Sequence, residues 1–240
     1  MLAAALMGIA GIPAGLVLDR LAVALAWPPE AVEEDEAGQP DAGASDLPVN
    51  AALAGEGGQI IVHPRYSWRT MAIVALTVAL FAATGARFDA AQDRALVAAC
   101  AAVFVLCSAT DLMSYRVPNV VTYPAILAAL AVGLVAPAAS PADVVAGGLL
   151  AGGLLFAPAL LTSSMGMGDA KLALFAGLAL GLRAVVPALL LMAISGGIVA
   201  GVLLALRLRP RGAPMPYAPF IALGAVVTLL LQGPAAAPLT

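Results

Sequence analysis

Two aspartates beside long apolar stretches are the residues of this sequence best suited to chemistry. Asp169 lies between two apolar runs, directly after Gly166-Met167-Gly168, and Asp111 lies at the edge of a third run. Placing a carboxylate in or beside a membrane costs free energy, so each of these two aspartates is a candidate functional residue. The glycines leave the backbone beside Asp169 without side-chain cover, which lets another chain approach it closely. We therefore expect Asp111 and Asp169 to form a catalytic pair.

A pair of carboxylates has a chemistry that neither has alone. Two of them a few ångströms apart do not both ionise easily, so they hold one proton between them near neutral pH. Such a pair can activate a water molecule and protonate an amide, as in the soluble aspartic proteases. The alternative for Asp169 alone is a helix N-cap, and for Asp111 alone a solvated acid at a helix end. The glycines before Asp169 and the Pro118-Asn119 turn after Asp111 favour the catalytic interpretation.

Local signals predict how the two acids are positioned. Pro118 is expected to stop the helix that carries Asp111, and Asn119 is expected to cap the helix that follows. Lys171 stands too close to Asp169 to point the same way once a helix has begun, so the sequence assigns it no clear role. Asp111 is therefore predicted to end one helix and Asp169 to begin another.

The amino-acid composition indicates that these helices belong to a membrane protein. Of 240 residues, 62% are hydrophobic and only 10% are charged, and the mean hydropathy is +1.02. Soluble domains average about 25% charged residues. The apolar runs are continuous rather than alternating, which favours helices over a barrel as the way to satisfy the backbone in lipid. We predict an all-α, polytopic membrane protein with about eight transmembrane helices. The sequence has no basic stripe that would indicate nucleic-acid binding.

The chain divides into three predicted parts. Residues 1–27 are expected to form a first transmembrane helix, which is retained because no Lys or Arg precedes it as in a signal peptide. Residues 28–69 are acidic and poor in large apolar side chains, so they are predicted to be a disordered cytoplasmic loop. Residues 70–240 are expected to form a multi-helix core. Its apolar runs are 71–86, 95–110, 120–136, 144–161, 172–182, 184–206 and 219–231.

The basic residues predict the orientation of the helices. With eight spans and the N-terminus outside, eight basic residues fall on the cytoplasmic side and three on the other, as the positive-inside rule favours. The cytoplasmic set is Arg20, Arg65, Arg69, Arg116, Lys171, Arg207, Arg209 and Arg211. In this topology Asp111 and Asp169 both lie at the cytoplasmic edge.

Three motifs in order resemble those of the type IV prepilin peptidases, which are intramembrane aspartyl proteases. Gly166-Met167-Gly168-Asp169-Ala170-Lys171 is similar to their Gly-x-Gly-Asp-x-Lys motif. Asp111 with the downstream Pro118-Asn119 resembles their first aspartate and its Ile-Pro-Asn segment. The segment 216–224 resembles the Pro-Phe-Gly-Pro-Phe-x-x-x-Gly motif at the start of their last helix. The matched stretch covers about residues 95–224, with a looser similarity at 11–21.

The resemblance implies a function. Proteins of this family remove the short basic leader from type IV prepilins and pseudopilins at the cytoplasmic face of the bacterial inner membrane. It implies a prepilin substrate and a lipid bilayer as the partners of this chain, and no cofactor. Asp111 and Asp169 would be catalytic. The supporting residues at the matched positions are Gly166, Gly168, Lys171, Pro118, Asn119, Pro219 and Phe220.

The cysteines depart from the family pattern. Many bacterial members carry two Cys-x-x-Cys pairs in the first cytoplasmic loop, which bind zinc, and also N-methylate the new pilin N-terminus. Residues 28–67 contain no cysteine, so no metal site is predicted and the methyltransferase activity is doubtful here. Cys100 and Cys107 lie on one face of a single apolar run and are predicted to be core residues.

Two other functions fit parts of the pattern. A related Gly-x-Gly-Asp protease could act on another membrane substrate, such as a preflagellin. A proton-coupled transporter could use Asp111 and Asp169 as relay groups. The halves of the sequence show no inverted repeat, and the acids stand at one edge rather than at the midplane, which argues against the transporter.

Overall fold

The fold is a bundle of helices. The computed structural model describes residues 1–26, 68–136, 139–161, 166–208 and 215–236, and all the regular structure in those ranges is α-helical. The helices are α1 (Leu2–Ala26), α2 (Trp68–Arg87), α3 (Ala91–Ser114), α4 (Asn119–Val135), α5 (Pro141–Leu161), α6 (Met167–Ala205) and α7 (Ala218–Gln232). The predicted disordered loop lies almost wholly outside the described residues. The predicted division at residues 69 and 70 stays a prediction, and α2 begins at Trp68.

Helix α6 is a helical hairpin rather than one straight rod. Gly181 interrupts it with φ 73° and ψ 171°, a left-handed value of φ that favours glycine. Ala173 and Ala176 before the break line the same small cavity as Val185 and Ala188 after it, so the two arms pack against each other. The predicted runs 172–182 and 184–206 are these two arms. Upstream residues extend the short first run, because the helix begins at Met167.

The described helices are those of a polytopic membrane protein. Five of them, α1, α2, α3, α5 and α6, are long and apolar enough to cross a membrane, while α4 and α7 are shorter apolar helices of 17 and 15 residues. With α6 counted as two arms, the described chain has eight helical segments.

Glycines set the closest helix crossings. An added Cβ on Gly11 of α1 would lie 2.7 Å from the Cα of Val78 on α2. A Cβ on Gly177 of α6 would overlap the carbonyl oxygen of Gly147 on α5. Small residues permit this backbone-to-backbone packing in membranes, as predicted for the glycine-rich α5.

We expect Gly177→Ala to lower stability, because its methyl group must displace the backbone of α5. Overpacking of this kind costs about 1–3 kcal/mol, more than the roughly 0.5–1 kcal/mol that alanine gains over glycine inside a helix. Gly197→Ala is the matched control on the same helix, since an added Cβ there meets nothing within 4 Å. The measurement is the thermal unfolding midpoint in one detergent. An equal or higher midpoint for Gly177→Ala than for Gly197→Ala would contradict the close crossing.

A buried ion pair connects the first helix to the second. Helix α1 continues past Leu18 to Ala26 and so includes Asp19, which is 3% exposed. Arg69 donates from Nε to one oxygen of Asp19 at 3.1 Å, and the Thr70 hydroxyl donates to the other at 2.9 Å. The carboxylate is tolerated because both of its oxygens have a donor. These contacts join the last third of α1 to the first turn of α2.

The cysteines lie in α3 as predicted for packing residues. Cys107 is fully buried in the main core cluster, and Cys100 is partly buried against it. Both are free thiols.

Candidate active site

Asp111 and Asp169 meet at one end of the bundle. Asp111 lies one turn before the end of α3 and Asp169 in the first turn of α6, and each is only 4% exposed. The Asp111 carboxyl is close enough to act electrostatically on that of Asp169. Since α3 ends and α6 begins at the same end of the bundle, the fold joins two acids 58 positions apart in the sequence. Asp111 does not end its helix as expected, because α3 continues to Ser114.

A backbone group of the last helix holds Asp111. The N–H of Ala218, the first residue of α7, donates to Oδ2 of Asp111 at 3.0 Å. The N-terminus of a helix carries partial positive charge and unpaired N–H groups, both of which favour an anion there. Sequence reasoning missed Ala218. Its only signal was the neighbouring Pro219-Phe220 pair, because a backbone N–H is common to almost every residue type.

Asp169 has one oxygen engaged and one unpaired. Helix α6 begins with Gly166 in the N-cap position, and Asp169 is the third helical residue. Its Oδ2 accepts a hydrogen bond from the Gly166 N–H at 3.2 Å, which is the carboxylate half of a capping box. Its Oδ1 is buried and has no hydrogen-bond partner among the described residues. The capping interpretation thus accounts for one oxygen, although Gly166 and not Asp169 is the N-cap.

The two motif glycines have different surroundings. An added Cβ on Gly168 would lie 2.8 Å from the Cβ of Val117, a contact too short for real carbon atoms. Val117 belongs to the turn between α3 and α4, so Gly168 lets this turn close against the start of α6. Gly166 is exposed, and the nearest atom to an added Cβ is Oδ2 of Asp169 at 3.7 Å. Only Gly166 therefore leaves open backbone beside the acids.

Lys171 and Asn119 tie α6 to α4. The Lys171 ammonium donates to Oδ1 of Asn119 at 2.9 Å and lies 4.7 Å from the centre of the Tyr123 ring. The sequence alone assigned Lys171 no clear role, and the structure shows that it contacts Asn119 and Tyr123. These contacts hold the start of α6 against the start of α4, and they involve neither aspartate.

The turn between α3 and α4 differs in detail from the prediction. Tyr115 closes α3 in a left-handed conformation, with φ 54°, and its N–H donates to the Asp111 carbonyl at 2.8 Å. Pro118 occupies the N-cap position of α4, and no side chain caps that end. The expectation that Asn119 caps α4 is wrong, because Asn119 is already the first helical residue and its side chain accepts from Lys171.

Pro219 and Phe220 shape the helix start that holds Asp111. Pro219 stands in the first turn of α7, where a missing N–H costs no helical hydrogen bond. Phe220 packs on the second arm of α6, since an ideal Cβ on Gly196 would lie 3.5 Å from its ring. Both residues therefore help to position Ala218, and neither has a described contact with the carboxyls.

The arrangement has the parts that acid–base chemistry on an amide requires. Two buried carboxyls lie close enough to interact electrostatically. One accepts a hydrogen bond from a helix N-terminus, and the other has a buried oxygen that no described residue hydrogen-bonds. In a site of low dielectric, one carboxylate can take a proton from water while the other donates one.

Residues 96–201 match the profile of the type IV leader peptidase family, a stretch that contains Asp111, Asp169 and the turn between α3 and α4. Comparisons of the chain with curated proteins and with solved structures found no significant match. The matched stretch ends before α7, so the contact from Ala218 to Asp111 is additional to it. The motif order, the all-helical bundle and the match over residues 96–201 together support similarity of this part of the chain to the type IV leader peptidase family.

Proposed function

We propose that the protein is an intramembrane aspartyl endopeptidase with Asp111 and Asp169 as its catalytic pair. The single observation that carries the proposal is the meeting of these two buried carboxyls from separate helices. Elsewhere in the described chain, the buried acid Asp19 is neutralised by Arg69. Asp111 and Asp169 have no cationic partner among the described residues, which suits groups that exchange protons rather than groups that only fold the chain.

The hydrogen bonds of the two acids support a different catalytic role for each. If Asp169 carried a negative charge, its Oδ1 would be a buried, charged oxygen without a donor among the described residues. A proton on that oxygen removes this penalty and can be donated towards Asp111. Asp111, held by the Ala218 N–H, then acts as the carboxylate that activates water. Asp169 donates its proton to the carbonyl oxygen of the substrate amide.

We propose a prepilin or pseudopilin as the substrate, with its short basic leader cut off at the cytoplasmic face of the inner membrane. The described basic residues at the end of the bundle with the acids are Arg20, Arg69, Arg116, Lys171 and Arg207, against Arg87, Arg94 and Arg183 at the other. By the positive-inside rule, this distribution favours a cytoplasmic position for the acids and an external N-terminus. A cleavage site where the substrate's apolar helix enters the bilayer would meet the acids there.

The test is cleavage of a synthetic prepilin-type protein, a short basic leader followed by an apolar helix, by the purified enzyme in detergent. We expect one cut, immediately before the apolar helix, mapped by mass spectrometry of both products. A substrate with a preflagellin-type leader, assayed in parallel, separates the two related protease functions. If the folded protein cleaves neither substrate but carries protons across vesicle membranes, the transporter replaces the protease.

Gly168→Ala is expected to lower the cleavage rate about tenfold, because the turn bearing Val117 must move away from the start of α6. Tenfold corresponds to about 1.4 kcal/mol in the activation free energy. Gly166→Ala is the matched control from the same motif and is expected to stay within about threefold of wild type, since its added Cβ has room. Initial rates at saturating substrate give the comparison. A larger loss for Gly166→Ala would show that the open backbone at Gly166, and not the Val117 contact, matters more.

A further inference from the structure

Ser108 is a buried hydroxyl whose surroundings in α3 are unusual. Its Oγ is buried and has no hydrogen-bond partner among the described residues. Seven other Ser and Thr hydroxyls in the described helices donate to the carbonyl three or four positions earlier, as is usual for these residues in helices. They are Thr77, Thr84, Thr110, Ser114, Thr122, Ser195 and Thr228. Ser108 departs from this pattern, so its hydroxyl is available to another acceptor.

The carboxylate nearest to Ser108 along the helix is that of Asp111. Ser108 precedes Asp111 by three positions, and residues three apart lie side by side on a helix. Side chains lean towards the helix N-terminus, so the Asp111 carboxyl leans over the turn that carries Ser108. The electrostatic interaction of Asp111 with Cys107, which lies in that same turn, agrees with this direction.

The Asp111 carboxylate has room for a second donor. Its Oδ2 accepts from the Ala218 N–H, and the described residues supply no hydrogen bond to its Oδ1. A hydroxyl bonded to a carboxylate makes a shorter and stronger bond than one bonded to a backbone carbonyl. A hydrogen bond from Ser108 to Asp111 would therefore replace an unpaired buried hydroxyl with a charge-assisted contact.

We propose that Ser108 is a positioning residue for the reaction: its hydroxyl donates to the Asp111 carboxylate. Together with the Ala218 N–H it holds both oxygens of that carboxylate in the orientation needed to activate water. The catalytic role of Ser108 rests on the proposed function. The hydrogen bond itself requires only the Asp111 carboxylate.

The contact is tested without turnover by infrared spectroscopy of the purified protein. We expect Ser108→Ala to shift a carboxylate stretching band relative to wild type, and this shift to vanish in an Asp111→Asn background. Ser114→Ala is the matched control, because Ser114 lies three residues after Asp111 and already donates to the Thr110 carbonyl at 2.9 Å. No shift, or a shift that persists without Asp111, overturns the proposal whether or not the protein is a protease.

The catalytic role is tested by steady-state cleavage. We expect Ser108→Ala to lower kcat about tenfold with KM within about twofold, while Ser108→Thr keeps most of kcat and Ser114→Ala is unchanged. Unchanged thermal midpoints separate positioning from folding, and Ser108→Thr stays informative if Ser108→Ala unfolds. A normal kcat for Ser108→Ala, or no recovery in Ser108→Thr, overturns the role. A wild type that cuts nothing refutes the protease instead, and the infrared result still decides the contact.

Discussion

Asp111→Asn and Asp169→Asn are each expected to lower prepilin cleavage by about a thousandfold or more. General acid–base groups contribute roughly 10² to 10⁴ to a rate, and each variant removes one of the two. Asparagine has nearly the shape of aspartate and still offers an oxygen to the N–H of Ala218 or Gly166, so the helix contacts can persist. It can neither take a proton from water nor share one with the other acid.

Initial rates with the synthetic prepilin, at equal amounts of folded enzyme, measure this effect. Asp143→Asn is the control, since Asp143 lies in the first turn of α5 at the opposite end of the bundle. It is expected to stay within about threefold of wild type. Near-full activity in either dyad variant would refute the shared-proton pair and would return the transporter and the purely structural roles of these acids to consideration.

Removal of the Ala218 N–H is expected to lower the cleavage rate by about ten- to a hundredfold. Hydrogen bonds to charged groups contribute about 1.5–3 kcal/mol, and about 1.4 kcal/mol is tenfold in rate. Replacement of Ala218 by lactic acid puts an ester oxygen in place of the N–H and leaves the methyl side chain unchanged. The Asp111 carboxylate then loses the one backbone donor that it has among the described residues.

The control is the same ester replacement at Ile221, whose N–H makes a 3.2 Å bond to the Tyr217 carbonyl in the same turn of α7. That variant loses a helical hydrogen bond at the same end of α7 but no contact with Asp111. We expect its cleavage rate to remain within about threefold of wild type. Equal losses in the two ester variants would mean that fraying of α7, and not the bond to Asp111, explains the effect.

The local parts of the site could be predicted because their signals are local. The unusual presence of acids beside apolar runs indicated Asp111 and Asp169, and the flanking glycine and proline residues indicated that helices end and begin near them. Hydropathy predicted the helices themselves, since in lipid a continuous apolar run has few alternatives to a helix. The errors at helix ends, as at Asn119, arose because several residue types can occupy a cap and tertiary contacts decide between them.

The sequence by itself determined that this is a helical membrane protein, similar to the leader peptidase family over residues 96–201, with two candidate catalytic acids. Only the tertiary structure decided what surrounds them. The Ala218 N–H reaches Asp111 across 107 positions of sequence and Lys171 reaches Asn119 across 52. Val117 fills the space beside Gly168, and Ser108 is left unpaired one turn before Asp111. Hydropathy and motifs reflect interactions between residues that are close together in the sequence. Which distant groups meet depends on how the whole bundle packs.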